Sequence, residues 1–190
     1  MKRREFLKFF AGVGTFLTLK PRFTVIKNPN LIRPPGAIEE DIFIYKCIRC
    51  GECLKVCPVN CLKPVPLSKG IFEFGTPHIT PREKACLLCL NCGKICPTGA
   101  IQKVKFKEVK IGTAKINRNR CLVWQENKDC FVCMEVCPVG AVYKNENGKP
   151  VVDPELCVGC GQCEQNCPVI GESAIIVTNK GQKRKKLKGG

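Results

Sequence analysis

Seventeen of the 190 residues are cysteine, and sixteen of them fall into four groups of four. The groups are CIRCGECLKVCP (47–58), CLLCLNCGKICP (86–97), CLVWQENKDCFVCMEVCP (121–138) and CVGCGQCEQNCP (157–168). Three of them read C-x₂-C-x₂-C-x₃-C-P, and the third group opens with eight residues between its first two cysteines. A disulfide scaffold predicts an even count with irregular spacing, whereas this count is odd and the spacing repeats. Zinc takes four ligands per site, often two C-x₂-C pairs separated by a longer loop. A third cysteine close behind the pair, then a fourth before proline, follows the iron–sulfur pattern. Thiolates suit either metal, so spacing and fourfold repetition decide for [4Fe–4S] clusters, with zinc as the alternative.

The formal charge of +16 counts every cysteine as neutral. Four clusters, each about −2 with its thiolates, bring it to about +8. Much of the remainder sits at the ends, in Lys2, Arg3, Arg4 and Lys8 and in KGQKRKKLKGG. A basic patch for nucleic acid is a weak reading of that distribution, and residues 180–190 are expected to form a solvated, disordered tail. The apolar run from Phe9 to Leu19 is too short to span a bilayer, which needs about 20 residues, but fits a signal h-region. Arg3-Arg4-Glu5-Phe6-Leu7-Lys8 resembles the twin-arginine export signal, with Lys2 where Ser or Thr is more usual. Residues 1–20 are therefore expected to be an export signal or anchor. An extended arm over 21–35 follows.

The repeat continues beyond the cysteines. Each fourth cysteine precedes a proline and a turn into an apolar residue, in CPVNCL, CPTGAI, CPVGAV and CPVIGESAI. Glycine-led segments lead into the later groups, in GTPHITPREKAC, GTAKINRNRC and GKPVVDPELC. Alternation and turn residues predict short strands flanking the groups, with a hairpin turn at Glu146-Asn147-Gly148-Lys149. The x₃ spacer before each fourth cysteine allows a short helix. Such elements are too small to bury a sizeable core, so bound clusters are expected to supply the cross-links.

The pattern resembles the bacterial two-cluster ferredoxin module, present twice, over 36–105 and 106–179. The expected fold is α+β, with short strands and helices around the clusters. In that family the fourth cysteine of each group ligates the other cluster. The resemblance implies one set of Cys47, Cys50, Cys53 and Cys96, and a second of Cys86, Cys89, Cys92 and Cys57. The second module would use Cys121, Cys130 and Cys133 with Cys167, and Cys157, Cys160 and Cys163 with Cys137. The widened third group makes Cys121 the least regular ligand, although a longer loop costs little closure entropy. The odd cysteine, Cys61, stands where the repeats carry Ala100 and Ala141, which favours a small buried side chain. A redox-active thiol or a substitute ligand is the alternative.

RPPGA before CIRCG, then GTPHITPREKACLLC, CPTGAI and the widened third group, are similar to the ferredoxin-type proteins of the MauM/NapG group. The resemblance runs from Arg33 to about Ile176. It implies four [4Fe–4S] clusters on an electron carrier in the periplasm or on the outer face of the cytoplasmic membrane. In the NapG branch the partners would be an iron–sulfur membrane protein drawing on quinol and a periplasmic reductase. The MauM branch is linked to formation of methylamine dehydrogenase. Two other readings stay open, an electron-transfer subunit of a molybdopterin oxidoreductase and a maturation factor for a periplasmic redox enzyme. A catalytic site of the chain's own is not expected. His78 is the only histidine and falls in a predicted strand, and no Gly-rich phosphate fingerprint is present. Trp124 and Tyr45, near cluster cysteines, are expected to pack over the clusters.

Overall fold

A computed structural model of the chain describes residues 31–126 and 128–186. The export-signal segment 1–20, residues 21–30 of the arm and residues 187–190 of the tail lie outside the described residues. The elements are short, as the spacing predicts. Module 1 holds helix α1 (Glu40–Lys46), helix α2 (Glu52–Lys55), strands β1 (Leu62–Pro64) and β2 (Pro77–Ile79), and helix α3 (Asn91–Ile95). Module 2 holds β3 (Thr113–Ile116), α4 (Leu122–Gln125), α5 (Val132–Glu135), β4 (Val142–Lys144), β5 (Pro150–Val152), α6 (Gln162–Gln165) and β6 (Ile175–Thr178). The architecture is α+β, with three two-stranded antiparallel sheets among the described residues.

Each module pairs its chain in the same order. An inner hairpin joins its two cysteine groups, β1–β2 with Leu62 opposite Ile79 and β4–β5 with Val142 opposite Val152. The hairpin expected at 146–149 is present: Asn145 Oδ1 accepts the N–H groups of Asn147 and Lys149, and Gly148 takes φ +69. An outer pairing then brings the module's start to its end. In module 2 this is β3–β6, with four residue pairs from Thr113–Thr178 to Ile116–Ile175. In module 1 it shrinks to the single bridge Ala37–Ile101, flanked by Ile38 N–H to Ala100 O and Gln102 N–H to Gly36 O. Glycine is needed at both corners. A Cβ on Gly36 would sit 2.1 Å from Gln102 O, and one on Gly112 2.3 Å from Thr178 O.

What module 1 lacks in backbone pairing it replaces with a buried charge network. Arg33 is 1% exposed. It donates from Nε to Glu40 Oε1 at 3.0 Å and from Nη1 to Thr76 Oγ1 and Pro77 O at 2.8 Å, and it lies 4.7 Å over the Phe43 ring. Satisfied on every side, the guanidinium can stay charged inside the fold. Of the extended arm expected over 21–35, the described residues Leu31 to Pro35 are buried, and Ile32 O accepts the N–H of Ile79 in β2.

The expected disordered tail is corrected over its described part. Beyond β6 the chain turns back, where Lys183 N–H reaches Lys110 O and Lys185 N–H reaches Ala37 O. Arg184 pairs with Glu40 at 3.1 Å and Lys185 with Glu108 at 2.9 Å. Residues 183–185 thus strap module 2 to the start of module 1, at Ala37, Ile38 and Glu40. Backbone carbonyls left without ladder partners offer that route, and Glu40 offers the counter-charge.

The two modules do not stand apart. Arg82, ahead of the second cysteine group, donates to the carbonyls of Glu164, Cys167, Val169 and Gly171 at 2.8–3.1 Å. Ala85 N–H meets Gln165 Oε1, and Cys86 N–H meets Cys160 O, both at 2.8 Å. One buried cluster runs through both halves, from Phe43, Leu62 and Ile101 to Ala114, Val142 and Val177. Eight cysteines, Cys61 among them, belong to it. The core is partly made of sulfur.

Candidate metal centres

Three of the groups share a backbone device. The residue before the second cysteine and the residue after it are both left-handed: Arg49 and Gly51 (φ +58, +79), Leu88 and Leu90 (+57, +61), Gly159 and Gly161 (+77, +89). Two such turns in succession curl the loop around its cysteines. For Arg49, Leu88 and Leu90 the conformation costs about 1 kcal/mol each. A short helix then carries the third cysteine, Cys53 in α2, Cys92 in α3 and Cys163 in α6, and the fourth lies just past its end. A helix so placed sends its third and fourth cysteines to different sites. The third group departs from this, for Phe131 takes φ −121 after Cys130, and α4 occupies the widened loop with Cys121 as its N-cap.

The cysteines gather into four sites. Site 1 brings Cys47, Cys50 and Cys53 together with Cys96 around a cavity walled by Ile48, Leu54, Pro97 and Ile101. Site 2 brings Cys86, Cys89 and Cys92 together with Cys57, beside Val59, Leu62 and Leu90, and includes Cys61. Site 3 surrounds an apolar cavity with Cys121, Cys130, Cys133 and Cys167, beside Ile116, Leu122 and Ile175. In site 4, Cys137 lies within electrostatic reach of Cys160 and Cys163, which also feel Cys157. The groupings coincide with the exchanged sets that the ferredoxin resemblance implies, Cys121 included. Among the described residues no three His, Cys, Asp or Glu side chains form a group that could hold a single metal ion. The sulfurs ring cavities and do not converge on one point.

The donor chemistry suits an iron–sulfur core. Burial, with neighbouring cysteines adding to it, pushes the thiols of Cys53 and Cys92 up to about 12. The same cause pushes Cys133 and Cys160 up to about 11 and raises Cys163 further. Bare thiolates are therefore disfavoured there, and only a cationic centre can hold four of them together. Backbone N–H groups already aim at the sulfurs: Leu88 at Cys86, Ile101 at Cys96 and Ala114 at Cys157, each at 3.4 Å, and Ala141 at Cys137 at 3.2 Å. Burial raises Cys96 and Cys167 too, but hydrogen bonds from Ile101 and Thr98 on the one, and from Ser173 and Val169 on the other, outweigh it and hold both below the ordinary thiol value. Such bonds are the means by which a protein tunes cluster potential.

Contacts between sites run in one order. Cys92 feels Cys53 across sites 2 and 1, Cys163 feels Cys133 across sites 4 and 3, and the Cys86–Cys160 backbone bond joins sites 2 and 4. The order in space is 1–2–4–3. Sequence reading did not reveal the module contact, nor the roles of Arg82 and of Arg49, which donates to the carbonyls of Cys47, Phe72 and Phe74. The only available signal was an arginine inside or just ahead of a cysteine group. Tyr45 does not pack over a site, being 79% exposed, and Trp124 lies beneath Arg118 at 4.3 Å and donates to Pro150 O. His78 is a packing residue. Its buried ring donates Nδ1–H to Lys63 O at 3.0 Å.

Comparison with known proteins agrees with this geometry. The model of the 4Fe-4S dicluster domain matches residues 46–100, 85–141 and 128–170; the first two matches each span two successive cysteine groups, and the third takes in the fourth group and the third group without Cys121. The fold and sites define an iron–sulfur protein of ferredoxin type, an electron carrier by class. The chain is 33% identical over 193 residues to the methylamine utilization ferredoxin-type protein MauM of Methylophilus methylotrophus, covering 92% of this chain and 84% of that one. It is 36% identical over 163 residues to MauM of Paracoccus denitrificans, covering 79% and 72%. With the ferredoxin-type protein NapG of Haemophilus influenzae the identity is 34% over 201 residues, covering 93% and 71%. The chain belongs to the MauM/NapG family of ferredoxin-type proteins.

Proposed function

We propose that this protein relays electrons through four [4Fe–4S] clusters, from a quinol-oxidising membrane partner to a redox enzyme outside the cytoplasm. The observation that carries the reading is the exchange within each module, which places two four-cysteine sites at the two ends of one short helix. The ligand sets follow the four sites: Cys47, Cys50, Cys53 and Cys96; Cys86, Cys89, Cys92 and Cys57; Cys121, Cys130, Cys133 and Cys167; Cys157, Cys160, Cys163 and Cys137. A bound [4Fe–4S] cluster supplies one-electron chemistry with no need of a proton donor or a substrate pocket.

The polypeptide does the rest. Sixteen thiolates hold the iron, apolar walls keep water from it, and N–H groups on the sulfurs set the potentials. Arg82 and the Cys86–Cys160 bond hold sites 2 and 4 side by side, so the order 1–2–4–3 gives one path with two ends. Site 1 is an exposed end. Cys50 is on the surface, and Ile48 and Tyr45, close to it in the chain, are exposed. The twin-arginine-like start supports delivery outside the cytoplasm, since that route carries folded, cofactor-loaded protein. The test is to mix anaerobically purified, oxidised protein with membrane vesicles and a reduced quinone. Bleaching of the visible cluster absorbance that depends on the membranes supports the reading. No bleaching by membranes that are competent for quinol oxidation refutes it.

A further inference from the structure

Site 2 differs from the others by one sulfur. At the position where the repeats have Ala100 and Ala141, both 1% exposed, it has Cys61 at 2%. The position serves the fourth cysteine of each group. Cys137 accepts the N–H of Ala141, four residues on, and Cys96 accepts that of Ile101, five residues on. At Cys57 the partner is the Cys61 thiol, four residues on, with the two sulfurs 3.5 Å apart. Cys86, a second member of the same ring, lines the same cavity as this thiol, together with Cys57, Cys89 and Cys92.

We propose that Cys61 is a positioning residue for site 2, whose thiol hydrogen-bonds the ligand sulfur of Cys57 and raises the reduction potential of that site. This rests on the four-cluster reading above. Four thiols already complete the ring, and Cys61 lies beside Cys57 in the role that a backbone N–H plays elsewhere, so it is not a fifth ligand. Thiolate ligands carry no proton to give, so the Cys61 S–H is the donor and the ligand sulfur accepts. A donor on a ligand sulfur draws off negative charge and stabilises the more negative, reduced state. Because site 2 abuts the junction between the modules, an electron would rest there before it crosses.

The test compares the wild-type full-length holoprotein with Cys61→Ala and Cys61→Ser by anaerobic redox titration with EPR detection, alongside iron and sulfide content. Alanine is the residue that the repeats tolerate at this position, so iron content should not change. One of the four potentials should fall in Cys61→Ala by roughly tenfold in the one-electron equilibrium, about 59 mV. Serine keeps a donor and should retain more of the wild-type value. Four unchanged potentials in Cys61→Ala would show that the thiol only fills space. Loss or conversion of a cluster in that variant would make Cys61 a ligand, and either result overturns the proposal. A wild-type protein without cluster signals would remove the four-cluster reading as well, whereas unchanged potentials remove this inference alone.

Discussion

The two modules carry the same cysteine frame but close it differently. Module 2 uses a backbone ladder, four residue pairs between β3 and β6. Module 1 has one bridge there and relies on Arg33, Glu40 and a strap that arrives from the far end of the chain. Their sites differ in step. Site 2 in module 1 has a thiol to spare, and site 3 in module 2 draws Cys121 from across a widened loop. The frame is fixed by iron chemistry, while closure and tuning are left to whatever side chains and backbone are near.

That contrast breaks most visibly at the ligands. Cys53→Ser removes a buried thiol from a tight double-turn loop and should cost site 1 its cluster, about four iron atoms per chain. Cys121→Ser sits at the end of a long loop that can readjust, so its deficit should be smaller, about one iron, with EPR reporting a converted cluster. Equal losses would erase the distinction between the regular and the widened group.

Next comes closure. Glu40 is the counter-charge for two guanidiniums, Arg33 and Arg184, and Arg184 is pushed down to about 10, by burial first and then by Arg33, with Glu40 opposing. Glu40→Gln strands both cations and should destabilise module 1 by about 3–5 kcal/mol. Hydrogen exchange should then rise at residues 31–46, 76–79 and 183–185 and stay low in β3 and β6. Uniform loss of protection would mean that the two modules form one cooperative unit with no separate closure.

The smallest effect concerns pH. Burial, helped by the charges of Lys69 and Arg33, holds His78 below its ordinary value, against the pull of Lys63 O and Glu83. The neutral ring suits the folded state, and the unfolded chain binds the proton more readily. Its contribution is therefore full above pH about 6.5 and is lost as pH falls through the lower folded value. Module 1 should lose stability as pH falls below about 6.5, and His78→Asn should flatten that slope in thermal melts. A slope unchanged by the substitution would assign the acid sensitivity elsewhere.

The sequence carried the local part of this structure well. C-x₂-C-x₂-C-x₃-C-P is a local geometric instruction, and Asn145 to Lys149 form the turn that their residue types require. What it could not carry is non-local. A Lys/Arg-rich end looks solvated because nothing in it announces a carboxylate 144 residues earlier. Arg82 serves four carbonyls, and the Cys86–Cys160 bond joins two backbones, so neither leaves a pattern of side chains to read. The burial of 31–35 was hidden for a related reason. Proline and asparagine spell extended chain, but the buried partner that makes Arg33 structural lies in α1 and β2.

Iron and acid-labile sulfide counted on anaerobically purified chain, together with Mössbauer spectra, test the central claim most directly. The account predicts about sixteen of each per chain, all in cubane form. Zinc in the sites, or about eight irons with half of the cysteines oxidised in pairs, would contradict it.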